Sequence, residues 1–362
     1  MRSRMLLAVA LAGAAAAAGA GAPSGPPGAG GAAAPDTALL FPGETHLAHV
    51  RQLTFGGENA EAYFSADGRR LSFQSTRDGR TCDQIYTMNA DGSDLRRLSN
   101  GRGRCTCSFY APDGRRIIYS STFASADTCP PRPDMSGGYV WPVYPTYDIY
   151  SVRPDGSDLR KLNTVPGYNA ESVYSPDGRK ILFTSDRDGD LELYTMNPDG
   201  SGVRRITHSL GYDGGAFFSP DGRHLCYRGW HYPDSTAPEA REYLALLRRH
   251  LVRPTHMELF VCDADGGHVR QLTHNGAANF CPFFHPDGRR IIFASNMDDP
   301  KGMGFDLYLI GVDGTGLERI TTYPGFDAFP MFSPDGRRLV WASNRHGSRP
   351  HETNIFIADW KD

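Results

Sequence analysis

Five short segments of the chain carry an amide or a carboxylate at one equivalent position. The segments are ENAEAYF, YNAESVY, YDGGAFF, ANFCPFF and FDAFPMF, and the shared residues are Asn59, Asn169, Asp213, Asn279 and Asp327. Glu61 and Glu171 follow two residues later in the first two segments. Oxygen atoms of these types are ligands for Ca²⁺ or Mg²⁺, and they also accept hydrogen bonds from a binding partner. The possible metal ligands among them are Glu61, Glu171, Asp213 and Asp327.

Arginine recurs a short distance after three of these segments, in STRDGR, TSDRDGD and SNRHGSRPHE. The residues are Arg77, Arg187 and Arg345, and His346 follows the last of them. Guanidinium groups near carboxylates can bind an acidic ligand, although surface ion pairing is the more common role of such residues. We therefore include the three arginines in the candidate site.

The elements that position these residues are repeats. An Asp-Gly turn occurs six times, as SADGRRLSF, APDGRRIIY, SPDGRKILF, SPDGRHLCY, HPDGRRIIF and SPDGRRLVW. The shortest spacing between the turns is 44 residues, which is the period of four-stranded propeller blades, and two of the units carry insertions. The sequence therefore predicts six blades.

A second repeated phrase supplies the outer half of each unit, for example DQIYTMNADGSDLRRLS and LELYTMNPDGSGVRRIT. The two phrases together predict four short strands, A to D, with Asp-Gly hairpins joining A to B and C to D. The sixth unit ends without an outer strand, whereas HLAHVRQLTFGG at residues 46–57 resembles the outer strand VRQLTHNG. We expect an all-β, six-bladed propeller in which the N-terminal strand completes the last blade.

These phrases resemble the WD40-like (PD40) repeats of TolB-type periplasmic β-propellers, over about residues 46 to 360. The resemblance implies the propeller fold, a periplasmic location and docking of envelope proteins. Proteins of the TolB type carry an α/β domain and a partner-binding segment ahead of the propeller. The present sequence shows neither, so we expect the propeller alone.

The predicted topology divides the loops between two faces of the disc. The A-B and C-D turns share one face, and the B-C loops and the links from D to the next A share the other, which we call the loop-rich face. Because the A strands line the central channel, we expect the amide and carboxylate residues to form a polar ring around its mouth. The alternative is a hydrated channel in which these side chains cap strand ends.

Both insertions fall on the loop-rich face, in the B-C loops of blade 2 (residues 121–146) and blade 4 (residues 229–256). Long loops on a rigid scaffold often carry function. The first contains Tyr139, Trp141 and Tyr144, which suit protein or sugar recognition or would form the core of a lid. The second predicts a helix from Pro238 to Leu251, with an apolar stripe that packs on the propeller or fills a partner's groove.

The N-terminal residues predict export. Residues 1–20 have two arginines, a short apolar run and small residues before Ala20, as in a secretory signal peptide. Residues 21–43 are rich in Ala, Gly and Pro and predict a disordered linker, so the propeller would span residues 44–362. We expect a periplasmic or secreted monomer without a transmembrane segment in the mature chain. The net charge of −3 argues against nucleic acid or an anionic membrane as partner.

The chain has seven cysteines, and an exported protein can form disulfides. We expect one disulfide among the four in blades 1 and 2, either Cys82 with Cys105 or Cys107, or one of these with Cys129. The alternative is that several are buried as small apolar side chains. A site for zinc is disfavoured because the cysteines lack CxxC pairs.

Two function classes remain. The first is a protein-binding scaffold that docks an envelope partner on the loop-rich face, with Ca²⁺ or Mg²⁺ as a possible channel ion. The second is a metal-assisted enzyme resembling oligogalacturonate lyase, for which His231, His256, His346 and His351 are candidate residues. The sequence has no GxSxG, HExxH or dinucleotide-binding glycine motif, so we favour the scaffold.

Overall fold

The computed structural model describes residues 39–300 and 302–362, which form 26 strands and one helix. The predicted signal peptide (1–20) and most of the predicted linker lie outside the described residues. The predicted six-bladed propeller is confirmed, because six separate four-stranded antiparallel sheets follow one another along the chain.

Each blade is a meander whose first strand is innermost. Blade 1 consists of β2 (Asn59–Phe64), β3 (Arg70–Ser75), β4 (Gln84–Asn89) and β5 (Arg96–Arg97). Blade 2 consists of β6 (Cys105–Tyr110), β7 (Ile117–Ser121), β9 (Asp148–Val152) and β10 (Arg160–Lys161). Blade 3 consists of β11 (Asn169–Tyr174), β12 (Ile181–Ser185), β13 (Glu192–Met196) and β14 (Arg204–Arg205).

The second half of the ring follows the same pattern. Blade 4 consists of β15 (Gly211–Phe218), β16 (His224–His231), β18 (Glu258–Asp263) and β19 (Arg270–Gln271). Blade 5 consists of β20 (Asn279–Phe284), β21 (Arg290–Ser295), β22 (Asp306–Gly311) and β23 (Glu318–Arg319). Blade 6 consists of β24 (Asp327–Phe332), β25 (Arg338–Ser343), β26 (Asn354–Trp360) and β1 (Leu47–Gln52).

The sixth blade takes its outer strand from the N-terminal side of the chain. Strand β1 pairs antiparallel with β26, and Leu47 lies opposite Trp360. The predicted closure by the N-terminal strand is therefore confirmed. It joins the two ends of the propeller within one sheet, which leaves no open edge between blade 6 and blade 1.

In all six Asp-Gly turns the aspartate accepts a hydrogen bond from the backbone amide two residues later, and in the turns of blades 1, 3, 4 and 6 it also accepts one from a serine hydroxyl. In blade 1 the hydroxyl of Ser65 donates to Asp67 Oδ1 at 2.6 Å, and the amide of Arg69 donates to the same atom at 3.0 Å. Gly68 has a φ of 67°, a conformation that glycine adopts without strain. The Ser-x-Asp-Gly sequence therefore encodes the A-B turn directly.

The two insertions join each other. The blade 2 insertion contains β8 (Trp141–Pro142), and the blade 4 insertion contains α1 (Pro238–Leu247) and β17 (Leu251–Val252). Strands β8 and β17 pair antiparallel and form a two-stranded sheet, which we call the roof. The helix ends at Leu247 rather than at the predicted Leu251, because Leu251 pairs in β17. Its buried residues include Tyr243 and Leu247, so the stripe packs on the propeller.

Residues 39–43, at the end of the predicted linker, pack against the folded body. Leu39 is buried, and its carbonyl oxygen accepts a hydrogen bond of 2.8 Å from Arg345. The guanidinium of Arg345 also pairs with Glu44 at 3.0 Å and with Asp327 at 2.7 Å, and all three of these side chains are fully buried. The composition of residues 39–44 does not predict that they are ordered, because the hydrogen bonds and ion pairs that hold them are made with Arg345, about 300 positions away.

The disulfide joins Cys82 to Cys129. It connects blade 1 to the blade 2 insertion and closes a sequence separation of 47 residues. The expectation of one disulfide among the first four cysteines is confirmed, but pairing of Cys82 with Cys105 or Cys107 is wrong. Both of those cysteines lie in β6 as buried free thiols, and Cys226, Cys262 and Cys281 are also unpaired.

Arg345→Met should lower the free energy of unfolding by about 3–5 kcal/mol, because it leaves Glu44 and Asp327 buried without their cation. Urea unfolding of the purified protein measures the change. The matched control is Arg179→Met, whose side chain is 85% exposed and should have little effect. Equal stability of the two variants would show that the buried network does not hold the ring closed.

The double variant Cys82→Ala, Cys129→Ala should lower the free energy of unfolding by about 2–4 kcal/mol, because the disulfide restricts the unfolded chain. Dithiothreitol should destabilise the wild type by a similar amount. It should leave the double variant unchanged, and a further loss in that variant would point to another reducible bond.

Candidate functional site: the central cavity

The five amide and carboxylate residues at the start of the inner strands do not line the channel. Each is fully buried. Asn59 Nδ2 donates to the carbonyl oxygens of Gly56 at 3.0 Å and Thr353 at 2.7 Å, and Asn169 donates to Gly167 in the same way at 3.1 Å. The predicted ring is therefore wrong for these positions, and the alternative of side chains that cap strand ends describes them better.

The carboxylates at this position have basic side chains as partners inside their own blades. Asp213 Oδ1 lies 2.7 Å from His231 Nε2, and Asp327 pairs with Arg345. Asn279 resembles the other amides and donates to the carbonyl oxygen of Met257 at 2.7 Å. The possible metal ligands Asp213 and Asp327 are thus separated from Glu61 and Glu171, and they do not form one site with them.

The three predicted arginines pack inside the blades as well. The guanidinium of Arg77 lies over the rings of Phe73 and Tyr86, at 5.8 and 5.6 Å from their centres. Arg187 occupies the same place in blade 3 and donates to Asn169 Oδ1 at 2.8 Å. Cation–π packing of this kind stabilises the B and C strands. The arginines are therefore not free at the channel mouth.

The residues that do point into the channel come two positions later, at a bulge. In every blade the register of the A-B pairing shifts there, and the residue has a left-handed φ of 51–58°. These six bulge residues are Glu61, Cys107, Glu171, Gly215, Cys281 and Phe329. A bulge re-aims a side chain relative to a regular strand. All six line one cavity of about 250 Å³ at the channel mouth, which we call the central cavity.

Aromatic side chains close the inner end of the central cavity. Tyr63 of blade 1 meets Phe217 of blade 4 across the channel, with ring centres 5.6 Å apart. Phe109 lies 5.7 Å from Tyr63, and Phe283 lies 5.1 Å from Phe217. Blades 1 and 4 are opposite in a ring of six, so these contacts block the channel. We call this group the aromatic floor.

The opposite rim is formed by the roof, by the residues that follow β8 and by the B-C loop of blade 6. Trp141 and Pro142 of β8 line the cavity, as do residues 143–144 that follow them. The B-C loop of blade 6 contributes residues 350–353. The central cavity is therefore enclosed by the floor and by loop-rich-face residues of blades that are distant in sequence.

Arg228 is the main functional candidate that the sequence analysis missed. It extends from β16 into the space beside Gly215, where a side chain at position 215 would collide with it. Its Nη2 pairs with Glu171 and donates to the hydroxyl of Tyr212 at 2.8 Å. The glycine in YDGGAFF was the available signal, because the other repeats have larger residues there.

Glu171 is held firmly in the cavity. Its carboxylate accepts hydrogen bonds from Thr184 Oγ1 at 2.7 Å and from the amide of Gly215 at 2.8 Å, in addition to Arg228. Glu61 differs, because its side-chain partners are the hydroxyl of Tyr63 at 3.3 Å and the thiol of Cys107, and it forms no ion pair with any described residue. Burial raises the pKa of Glu61 to about 7, and the negative charge of Glu171 adds to this rise, while Cys107 and Arg228 oppose it.

The histidines of the enzyme alternative do not converge. His231 is engaged with Asp213, and His256 Nδ1 lies 2.8 Å from the carbonyl oxygen of Gly276. His351 and His346 are both exposed on the same loop, and of the two only His351 lines the central cavity. Within residues 39–300 and 302–362, no group of three or more His, Cys, Asp or Glu side chains is arranged to hold a metal ion.

Part of the repeat region is similar to a known protein family. A family model described as the TolB beta propeller domain matches residues 145–231. The match covers the outer half of blade 2, the whole of blade 3 and the inner half of blade 4. The TolB homolog of Chlorobium luteolum is 29% identical over 147 residues, which covers 34% of this chain and 33% of that protein. Dipeptidyl-peptidase 5 of Porphyromonas endodontalis is 25% identical over 116 residues, which covers 32% of this chain and 14% of the peptidase.

A solved structure has a similar fold. TolB from Acinetobacter baumannii superposes with a TM-score of 0.54 at 17% identity, covering 74% of this chain and 55% of that one, and the likeness shows the fold alone. This chain spans a third or less of the length of each curated relative named above. No helix in the described part of the chain has the length and apolarity needed to cross a bilayer.

Glu61 should titrate with a midpoint of about 7 in the folded protein. Because this pKa is higher in the folded state than in the unfolded state, the stability that protonated Glu61 contributes is present below about pH 4.5 and is lost as the pH rises to about 7. The free energy of unfolding of the wild type minus that of Glu61→Gln should therefore decrease between about pH 4.5 and about pH 7. Urea unfolding at several pH values measures it, and a difference independent of pH would show an ordinary carboxyl.

Proposed function

We propose that this TolB-type propeller is a binding module of the periplasm or cell envelope that docks a protein partner on its loop-rich face. The observation that carries the proposal is the roof. Insertions from blades 2 and 4 meet there through the pairing of β8 with β17, directly above the central cavity. Two independent additions to the repeat thus build one surface around one opening.

The rest of the ring supports a scaffold role. The Asp-Gly turns on the opposite face follow one short pattern from blade to blade, as expected of structural repeats. The disulfide ties the blade 2 insertion to blade 1, so the rim is fixed to the disc. A rim held in this way favours docking of a partner, because little ordering of loops is needed on binding.

The predicted signal peptide and the likeness to a TolB homolog support the proposed location in the periplasm or cell envelope. Both favour export, and a disulfide can persist in the periplasm. The enzyme alternative has no comparable support in the described residues, since its histidines are dispersed among blades and loops. Docking on the loop-rich face is therefore the function that the geometry favours.

Charge reversal at the rim should abolish docking. Arg132 in the blade 2 insertion and Arg349 in the blade 6 loop are both exposed. The variant Arg132→Glu, Arg349→Glu should lose at least about tenfold in capture of envelope proteins, because a docking rim is sensitive to like-charge contacts. Affinity capture from detergent-solubilised envelopes, with identification of the retained proteins by mass spectrometry, measures the loss.

The matched control reverses two exposed charges on the Asp-Gly face, with Arg115→Glu and Arg179→Glu. It should retain the same proteins as the wild type. Equal losses in the two double variants, or equal retention by both, would place the docking surface elsewhere.

A further inference from the structure

The size of the central cavity limits what it can hold. Its volume of about 250 Å³ is below the ~300–1,000 Å³ usual for pockets that enclose whole small molecules. The aromatic floor closes its inner end, so an occupant enters from the loop-rich face. These dimensions fit one extended side chain better than a complete ligand.

The charges in the lining favour a cation. The carboxylates that line the cavity outnumber the guanidinium groups five to two. The carboxylates are Glu58, Glu61, Asp83, Glu171 and Glu352, and the guanidinium groups belong to Arg104 and Arg228. Arg104 pairs with Asp83, and Arg228 pairs with Glu171. The cavity therefore has a negative balance, and Glu61 receives no ion pair from either arginine.

The walls suit a cation that is partly desolvated. Tyrosine, tryptophan and phenylalanine rings from all six blades and the roof line the cavity. Arg228 shows how such walls act, because its guanidinium carbon lies 5.4 Å from the ring centre of Trp141 and 5.5 Å from that of Tyr212. Aromatic faces attract cations through their quadrupole, and the attraction grows when water is excluded.

We propose that the central cavity binds the cationic end of a lysine or arginine side chain, with Glu61 as its counter-ion and the aromatic walls as its cage. This inference rests on the proposed docking function, in which the partner presents that side chain at the rim. It assigns a positively charged residue to the centre of the partner's surface.

The groups that face Glu61 decide the pH dependence of binding. They are Tyr63, Cys107, Glu171 and Arg228, and His351 lies in the same lining. A cation should bind more tightly as the pH rises through about 7, because Glu61 becomes ionised. The part of this dependence that belongs to Glu61 should disappear in Glu61→Gln and remain in Glu61→Asp.

Small probes test the cavity without the partner. Saturation-transfer NMR titrations would use n-butylammonium and n-butylguanidinium, with 1-butanol as the neutral probe of similar shape. At least one of the two cations should bind at least about tenfold more tightly than the alcohol, and Glu61→Gln should remove that preference. The matched control is Glu239→Gln, which removes a carboxylate on the exposed side of α1 and should bind as the wild type does.

Two results would overturn the inference. One is binding of the cations no better than the alcohol in the wild type. The other is equal binding of the cations by the wild type and by Glu61→Gln, provided that thermal unfolding shows both to be folded. Binding of Ca²⁺ as tight as binding of the organic cations would also count against the inference, because the aromatic cage would then have no role.

The probes also separate this inference from the docking function. If the cations bind but reversal of the rim charges leaves capture unchanged, the cavity inference stands and docking on this face fails. If reversal of the rim charges abolishes capture but the cations do not bind, docking stands and the cationic anchor fails. Glu61→Lys, which places an ammonium group in the cavity, should block the probes and weaken capture.

Discussion

The pairing of β1 with β26 is the contact on which the ring depends. It is made between parts of the chain about 300 residues apart, and beside it Arg345 connects Glu44 to Asp327 in the innermost strand of the last blade. Closure fixes the distance between opposite blades. Tyr63 can therefore meet Phe217 across the channel, and the cavity above them has a defined floor.

Two of the carboxylates in the cavity, Glu61 and Glu171, differ in their hydrogen-bond and ion-pair partners and therefore have different roles. Glu171 has a hydroxyl, a backbone amide and Arg228 as donors, so its charge is satisfied within the protein. Glu61 is desolvated with weaker compensation, from the thiol of Cys107, the more distant charge of Arg228 and the hydroxyl of Tyr63, so burial raises its pKa to about 7. A group in this state gains most from a cation supplied from outside.

Much of the fold follows from local sequence, because the Asp-Gly turns and the short apolar runs encode hairpins independently of the rest of the chain. The closing strand was also predictable, since residues 46–57 repeat the pattern of an outer strand. The site was harder to predict. A strict alternation of side chains places Asn59 and Glu61 on the same face, but the bulge at Glu61 turns its side chain toward the channel while Asn59 stays buried in the blade. Arg228 comes from a neighbouring strand, and its position depends on the absence of a side chain at Gly215.

The bulge has a consequence for how such a protein can diversify. Its backbone conformation is the same in all six blades, although the residues there include an acid, a thiol, a glycine and an aromatic ring. The hydrogen bonding of the blade therefore tolerates many side chains at the one position that faces the cavity. A substitution of Glu61, Cys107, Cys281 or Phe329 can therefore change the lining of the cavity within one blade, whereas positions 171 and 215 are coupled to each other through Arg228.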